Sequence, residues 1–352
     1  MAANKRIYYA TQAVQLRPQD ADLTVVNNSA YLTPKGIQSV GMTTNFNLTQ
    51  MFTMGQQELY DNVEGTPEVE VTMQKTLDGT LPLYLLCMGG TVSNYGSGKQ
   101  LAELSTNRVD FRLGVYPDTA ISATGNPTFW VNCPGMYLSS IGYTLPIDGF
   151  AQEDVTLVGN NKVWQTGTAL EHKTTAFDST LTASSPVRRV NVNVAGSVLP
   201  TGTAGIRLPS GRTDFGGAPY FQSISVKANL GREAINELGR MAPYCRYVKF
   251  PLEITSEFSV IASDGDYVDA NDFSGVTGCG NSYTNLQDKE VKVVVCGKTA
   301  NDLLTIDLGA KNKLTSVNYT GADTTGGNAT ITYSFQTFNS FKVSTTGTFA
   351  SV

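Results

Sequence analysis

One pattern of residues runs through this chain twice. Gln38–Asn45 reads QSVGMTTN and Gln222–Asn229 reads QSISVKAN, sharing Gln, Ser, an aliphatic residue and Asn at a spacing of 184 (222 − 38). Downstream, QQELYD at Gln56–Asp61 faces INELGR at Ile235–Arg240, which sets Glu58-Leu59 against Glu237-Leu238. PEVEVT (Pro67–Thr72) faces PLEIT (Pro251–Thr255), matching Glu70-Val71-Thr72 to Glu253-Ile254-Thr255, and NRVDFRLGVY (Asn107–Tyr116) faces KEVKVVVCGK (Lys289–Lys298). YLSSIGYT (Tyr137–Thr144) faces KLTSVNYT (Lys313–Thr320) at an offset of 176, as Val155-Thr156 faces Ile331-Thr332. Ordered matches at nearly constant offset mark a tandem duplication of a unit of about 170 residues, an ordinary domain size. The expected division is a first domain at 1–171, a polar aperiodic linker at 172–185 (HKTTAFDSTLTASS) and a second domain at 186–352.

Within each copy the apolar residues recur with period 2, the signature of half-buried strands. Val69/Val71/Met73, Val109/Phe111/Leu113/Val115 and Val155/Leu157 alternate in the first copy; Val190/Val192/Val194, Leu252/Ile254, Val291/Val293/Val295 and Ile331/Tyr333/Phe335 do so in the second. Leu314/Val317 breaks the alternation. One short helix per copy is expected, at Thr53-Met54-Gly55-Gln56, which has capping-box form, and at Arg232–Leu238, with Gly239 as a stop. The fold class is all-β with minor α: two tandem antiparallel β-sandwich or barrel domains, each with a short helix.

Composition agrees. Of 352 residues only 16% are charged, against about 25% in an ordinary domain, and 42 Thr and 34 Gly take the place of the missing charge. Thr is stiff at Cβ and Gly supplies positive φ, so strands and tight turns are favoured. A hydrophobic fraction of 41% suffices for a core. The apolar run Leu81–Met88 is too short to span a bilayer, so no membrane segment is expected, and MAANKRIYYATQAVQL has no apolar secretory core. Five scattered cysteines (Cys87, Cys133, Cys245, Cys279, Cys296), with no CxxC pair, read as free thiols in a reducing compartment. Asn-x-Ser/Thr triplets, as at Asn47 and Asn328, are frequent by chance in an Asn- and Thr-rich chain.

No enzyme emerges. The single histidine, His172, lies in the linker without a nucleophile or carboxylate beside it. Gly96-Ser97-Gly98-Lys99 is not a phosphate loop, because Ser93 stands at the first Gly position and Gln100 where Ser or Thr must ligate magnesium. Asp264-Gly265-Asp266 with Asp269 and Asp272 lacks the Gly and Glu spacing of a calcium loop. Glu68 and Glu70 share one strand face, as an outer polar face requires. Basic residues form no stripe with interleaved aromatics, so sequence-reading of nucleic acid is not expected. Neither cofactor nor metal is expected.

The residues do resemble a family. The stretch between Phe221 and Asp266, with QSISVKANLGREAINELGRMAPYCRYVKFPLEITSEFSV, looks like the core of bacteriophage tail tube proteins: a strand, a looped segment at Glu-Leu-Gly, a Pro and a long amphipathic strand. Asn328–Val343, NATITYSFQTFNSFKV, is similar to the terminal strand pair of that fold, and GQQELYDNVEGTPEVEVTMQKTLDG in the first copy is its counterpart. The resemblance implies a structural virion protein of the tail-tube-like type with duplicated domains, made in the host cytoplasm. Three copies would form a pseudo-sixfold ring whose inner strands join into one β-barrel, and stacked rings would pass phage DNA without reading its sequence. The implied partners are the protein itself (a homotrimer with ring and ring-stacking contacts) and other tail proteins such as tape measure and terminator. The alternatives are another ring-forming protein of the tail end or baseplate, or a two-domain carbohydrate-binding or adhesin-like virion module.

Edge strands of small β-domains are an aggregation hazard that closure around a ring removes. Charge suits a conduit: 1–185 carries 10 basic and 16 acidic residues, 186–352 carries 15 and 14, for a net −5, and an acidic balance does not hold phosphates. Candidate contacts between subunits or rings are Glu58, Leu59, Tyr60, Glu237, Leu238 and Arg240. Leu59 and Leu238 either reach a neighbour or cap their own cores.

Overall fold

The structure, a computed structural model, describes residue 7 and residues 12–19, 31–88, 98–117, 127–166, 186–195, 221–262, 268, 288–297, 301–322 and 327–350. The chain is mostly strand with little helix, and its sheets are antiparallel. The first unit holds β1 (Gln12–Gln19), β2 (Ile37–Asn45), β3 (Thr49–Met51), β4 (Asp61–Val63), β5 (Glu68–Thr76), a short α-helix α1 (Leu83–Met88), β6 (Arg108–Val115), β7 (Phe129–Pro146), β8 (Gln152–Gly159) and β9 (Val163–Thr166). The second holds β10 (Val192–Ala195), β11 (Phe221–Asn229), β12 (Glu233–Ile235), β13 (Cys245–Tyr247), β14 (Glu253–Ile261), β15 (Lys292–Cys296), β16 (Leu303–Asp307), β17 (Lys313–Thr320), β18 (Thr330–Phe338) and β19 (Lys342–Thr345).

One large sheet runs through both units in the order β17-β18-β14-β11-β7-β8-β5-β2. The second layer is β1-β6-β7-β9 in the first unit and β10-β15-β16-β19 in the second. The strand β7 serves both layers: its first half pairs with β6 and β9, its second half with β8 and β11. It crosses between them at Gly135, where φ is +64°, a conformation that glycine adopts without steric cost. In the second unit the same path is broken into β16 and β17. The facing sides of the layers form a contiguous core that includes Phe111, Val71, Leu157, Phe258, Tyr333 and Phe341.

The duplication is visible in backbone detail. Strands β2, β5, β8 and β7 occupy the places of β11, β14, β18 and β17. The register irregularity between Ile37 and Ser39 recurs between Phe221 and Ser223, 184 positions on. The one between Leu138 and Ser140 recurs between Leu314 and Ser316, 176 positions on, and explains the break in alternation at Leu314/Val317. Asn45 and Asn229 each accept a hydrogen bond from the backbone two residues on, at 3.1 Å in both cases. Both strands thus end in an Asx turn, which is the physical reason the two repeats share an Asn there. At β5 and β8 the ladders correct the sequence alignment by two residues. Ladder pairing equates Glu68-Val69-Glu70 with Glu253-Ile254-Thr255, and Val155 with Tyr333. A two-residue slip preserves which face is buried, so composition alone cannot detect it.

The expected helices are absent from Thr53–Gln56 and Arg232–Leu238. Each segment belongs to a two-stranded hairpin, β3–β4 and β12–β13, with matching register (Thr49↔Val63 and Glu233↔Tyr247). Met54-Gly55 and Leu238-Gly239 form the turns, with Gly55 at φ +93° and Gly239 at +84°. Cross-strand pairing outweighs a four-residue capping pattern, since a helix that short has little stability of its own. The α-helix α1 instead coincides with the apolar run Leu81–Met88 and is buried throughout.

Cys87, Cys133, Cys245 and Cys296 are free thiols. His172 and the 172–185 linker, Cys279 and the Asp264–Asp272 cluster lie outside the described residues, as do Gly96 and Ser97 of the Gly96–Lys99 segment. No helix among the described residues is long and apolar enough to cross a membrane.

Candidate assembly interface

Because the units repeat head to tail, the seam inside the chain joins two different edges. Strand β11, one border of the second unit, pairs with β7, the opposite border of the first, from Ser223↔Pro146 to Asn229↔Ser140. The counterparts of these two borders are β2 and β17, and both lie at the ends of the sheet. Among the described residues each has a strand on one side only, so a row of backbone donors and acceptors points away from the chain.

Burial records the difference. Within the seam Ile224, Val226, Ala228, Ile141 and Tyr143 are buried. Tyr143 is fully buried, whereas its counterpart Tyr319 on β17 is 52% exposed. Leu230, just past β11, is fully buried against β7, whereas its counterpart Phe46 is 61% exposed. The backbone N–H of Leu230 donates to the carbonyl of Ser139 at 2.8 Å. Ser139 sits at the β7 bulge, and Thr315 holds the matching place in β17.

Side chains on the β12–β13 hairpin fasten the seam. Arg232 donates to the carbonyls of Leu138 (2.7 Å) and Ser105 (2.5 Å) and lies over the Tyr137 ring at 5.2 Å. Burial pulls Arg232 down from 12.5 to about 10. Arg246 pairs with Glu68 at 3.0 Å and donates to Asn160 at 3.3 Å. Cys245 lies 3.4 Å from the Tyr137 hydroxyl, and Thr66 donates its hydroxyl to the Met241 carbonyl. Sequence reasoning missed these residues, because a lone Arg between strands carries no motif. The mismatch of Arg232 and Arg246 with Leu48 and Asn62 across the repeat was the available signal.

The predicted contact residues lie on the two hairpins. Glu58, Leu59 and Tyr60 close the β3–β4 loop; Glu237, Leu238 and Arg240 surround the turn of β12–β13, with Glu237 and Arg240 paired at 3.4 Å. They are not equivalent as aligned, since Leu238 corresponds to Met54 and the Glu58-Leu59 match is coincidental. Leu238 and Met54 are fully exposed and cap no core, and Phe52, Tyr60, Met241 and Tyr244 are further exposed apolar side chains on the same two hairpins. Replacing Leu238 with Asp is therefore expected to leave the melting transition unchanged, within about 0.5 kcal/mol as for other surface substitutions, when followed by circular dichroism. A clear loss of stability would place Leu238 in the fold rather than on its surface.

The solvent face of the large sheet is polar and sparsely charged. Thr72, Thr156, Gly142, Ser225, Thr255 and Thr332 are typical of it. Its strand carboxylates are Glu68, Glu70, Asp154, Glu253 and Glu257, against Lys227 and Lys313. Beside the seam this face has an open cleft of about 720 Å³, bordered by Ser140, Asp154, Lys227, Lys249, Phe250 and Glu253. No protein-family model matches the chain, and no curated protein matches it.

Proposed function

We propose that this protein is the ring-forming subunit of a phage tail tube, in which β2 of one copy pairs with β17 of the next. The observation that carries the reading is the head-to-tail seam, a worked example within one chain of the joint that the two outer edges would make. Transferring the β11–β7 register by the repeat offsets pairs Met42 with Tyr319, Thr43 with Asn318 and Thr44 with Val317 of the next copy. Such a contact is heterologous, so it closes into a ring when the rotation per copy divides the circle and otherwise runs on as a filament. Three copies supply six units. Making half of the joints intramolecular keeps those partners at high effective concentration.

Ring closure turns the large sheet into a wall with one face toward the core and the other toward a channel. A channel face of Ser, Thr and Gly with more carboxylates than amines does not neutralise phosphates, so DNA slides along it unheld. The exposed hairpin tips supply the surface for stacking one ring on another. Tape measure and terminator proteins would meet the same tube, assembled in the host cytoplasm and carried in the virion.

The test is a covalent one. In the Thr43→Cys/Asn318→Cys variant, mild oxidation should yield a ladder of linked copies that ends at a closed trimer, seen as rings by electron microscopy. Facing strand positions lie within disulfide reach, whereas residues at opposite borders of a lone chain do not. A protein that stays monomeric at high concentration and never cross-links would remove the proposal.

A further inference from the structure

The internal and external joints differ in chemistry at equivalent places. At the internal joint a cationic clamp holds the hairpin down: Arg232 stacks on Tyr137 and Arg246 grips Glu68 and Asn160. Applying the offsets of 184, 176 and 178 set by the ladders, the external joint brings Leu48 to the place of Arg232 and Lys313 to that of Tyr137. Asn62 takes the place of Arg246, and Phe338 that of Asn160. Leu48 and Phe338 are exposed, and Lys313 is already ion-paired with Asp288 at 2.7 Å. An Arg at position 48 would meet Lys313; the Leu actually there can lie along its aliphatic stem.

We infer that the β3–β4 hairpin of one copy clasps β17 of a second copy by apolar contact, with Phe46 as the anchor, and that this clasp decides which edges join. This rests on the ring reading above. Phe46 follows β2 as Leu230 follows β11, and Leu230 shows where such a side chain goes: into a fully buried site beside the partner strand's bulge. The matching carbonyl is that of Thr315 in the second copy, which the Phe46 N–H meets as the Leu230 N–H meets Ser139. A larger ring in that site, flanked by Leu48, supplies through burial what the clamp supplies through charge.

The occupant is a second copy of this chain because the seat is built from the repeat's own bulge, register and cap. The different chemistry also separates the two joints. A β12–β13 hairpin that left its own unit would carry Arg232 toward Lys313, a like-charge contact that disfavours swapping.

Two substitutions with opposite readouts test the inference. Phe46→Asp should weaken assembly at least about thirty-fold by analytical ultracentrifugation, as loss of a central anchor does, with an unchanged melting temperature for the single chain. Arg232→Leu should lower that melting temperature and leave assembly intact at temperatures where the chain is folded. Wild-type assembly should also survive about 1 M salt, where the Debye length is near 3 Å. Phe46→Ser serves as a second variant without the added charge. Wild-type-like rings that persist in both Phe46 variants, or wild-type rings that dissociate in salt, overturn the clasp and leave the ring reading standing. A wild-type protein that never assembles removes both.

Discussion

Tyr319→Asp is expected to abolish ring formation while the single chain folds as before, and Tyr143→Asp to prevent folding altogether. The two tyrosines occupy equivalent places in the repeat, so the contrast isolates the seam itself. Tyr143 is fully buried beneath β11 and donates to Glu153 at 2.9 Å. An Asp there buries a carboxylate beside another carboxylate and forfeits the packing of the ring. Tyr319 is half exposed on an edge strand, where an Asp remains hydrated until a second copy covers it. Covering it costs several kcal/mol, roughly a thousand-fold or more in assembly. The sign of the pH dependence follows: the carboxylate introduced at position 319 must be protonated before the edge can close, so assembly should recover as the pH falls through the carboxylate range. Light scattering against pH reads this directly, and a variant that assembles normally at neutral pH would show that β17 is not a joint.

The second large effect lies in the first unit's core. Facing positions Lys75 on β5 and Glu153 on β8 are both fully buried. Glu153 accepts hydrogen bonds from the Leu83 and Tyr84 backbone (2.7 and 2.9 Å) and from the Tyr143 hydroxyl, so it caps the start of α1. Lys75 donates to the Thr80 hydroxyl (2.8 Å) and the Leu81 carbonyl (2.6 Å) and lies 3.7 Å from Asp78. Burial pushes the Glu153 carboxyl up and the Lys75 ammonium down, and each charge opposes the shift of the other.

Glu153→Ala leaves three buried donors without their acceptor and removes the carboxylate charge that faces the Lys75 ammonium, and about 3–5 kcal/mol should be lost in urea unfolding. Lys75→Met should lose a similar amount, and the double variant less than the two together. The second unit supports that expectation, since the same crossing is made there by Val260 and Ile331. Additive losses would show that the two side chains do not act as a pair.

The duplication and the period-2 strands were legible because they depend on local rules. An alternating pattern buries one face whatever the register, and Asn45 and Asn229 mark strand ends through a hydrogen bond two residues long. The helices at Thr53 and Arg232 were misread because a capping pattern is equally local, while the hairpins that replace it depend on pairing across about ten residues. The alignment of Leu59 with Leu238 failed for a related reason: Glu-Leu is a common pair, whereas the turn is set by glycines at positive φ.

Sequence alone thus determined that this is a doubled β chain, poor in charge. Tertiary structure decided how the two units meet. A border is defined by what lies beside it, and no run of residues states which of two similar strands will find a neighbour. Leu230 and Phe46, or Tyr143 and Tyr319, read alike as apolar positions; only the placement of β11 against β7 makes one of each pair core and leaves the other open.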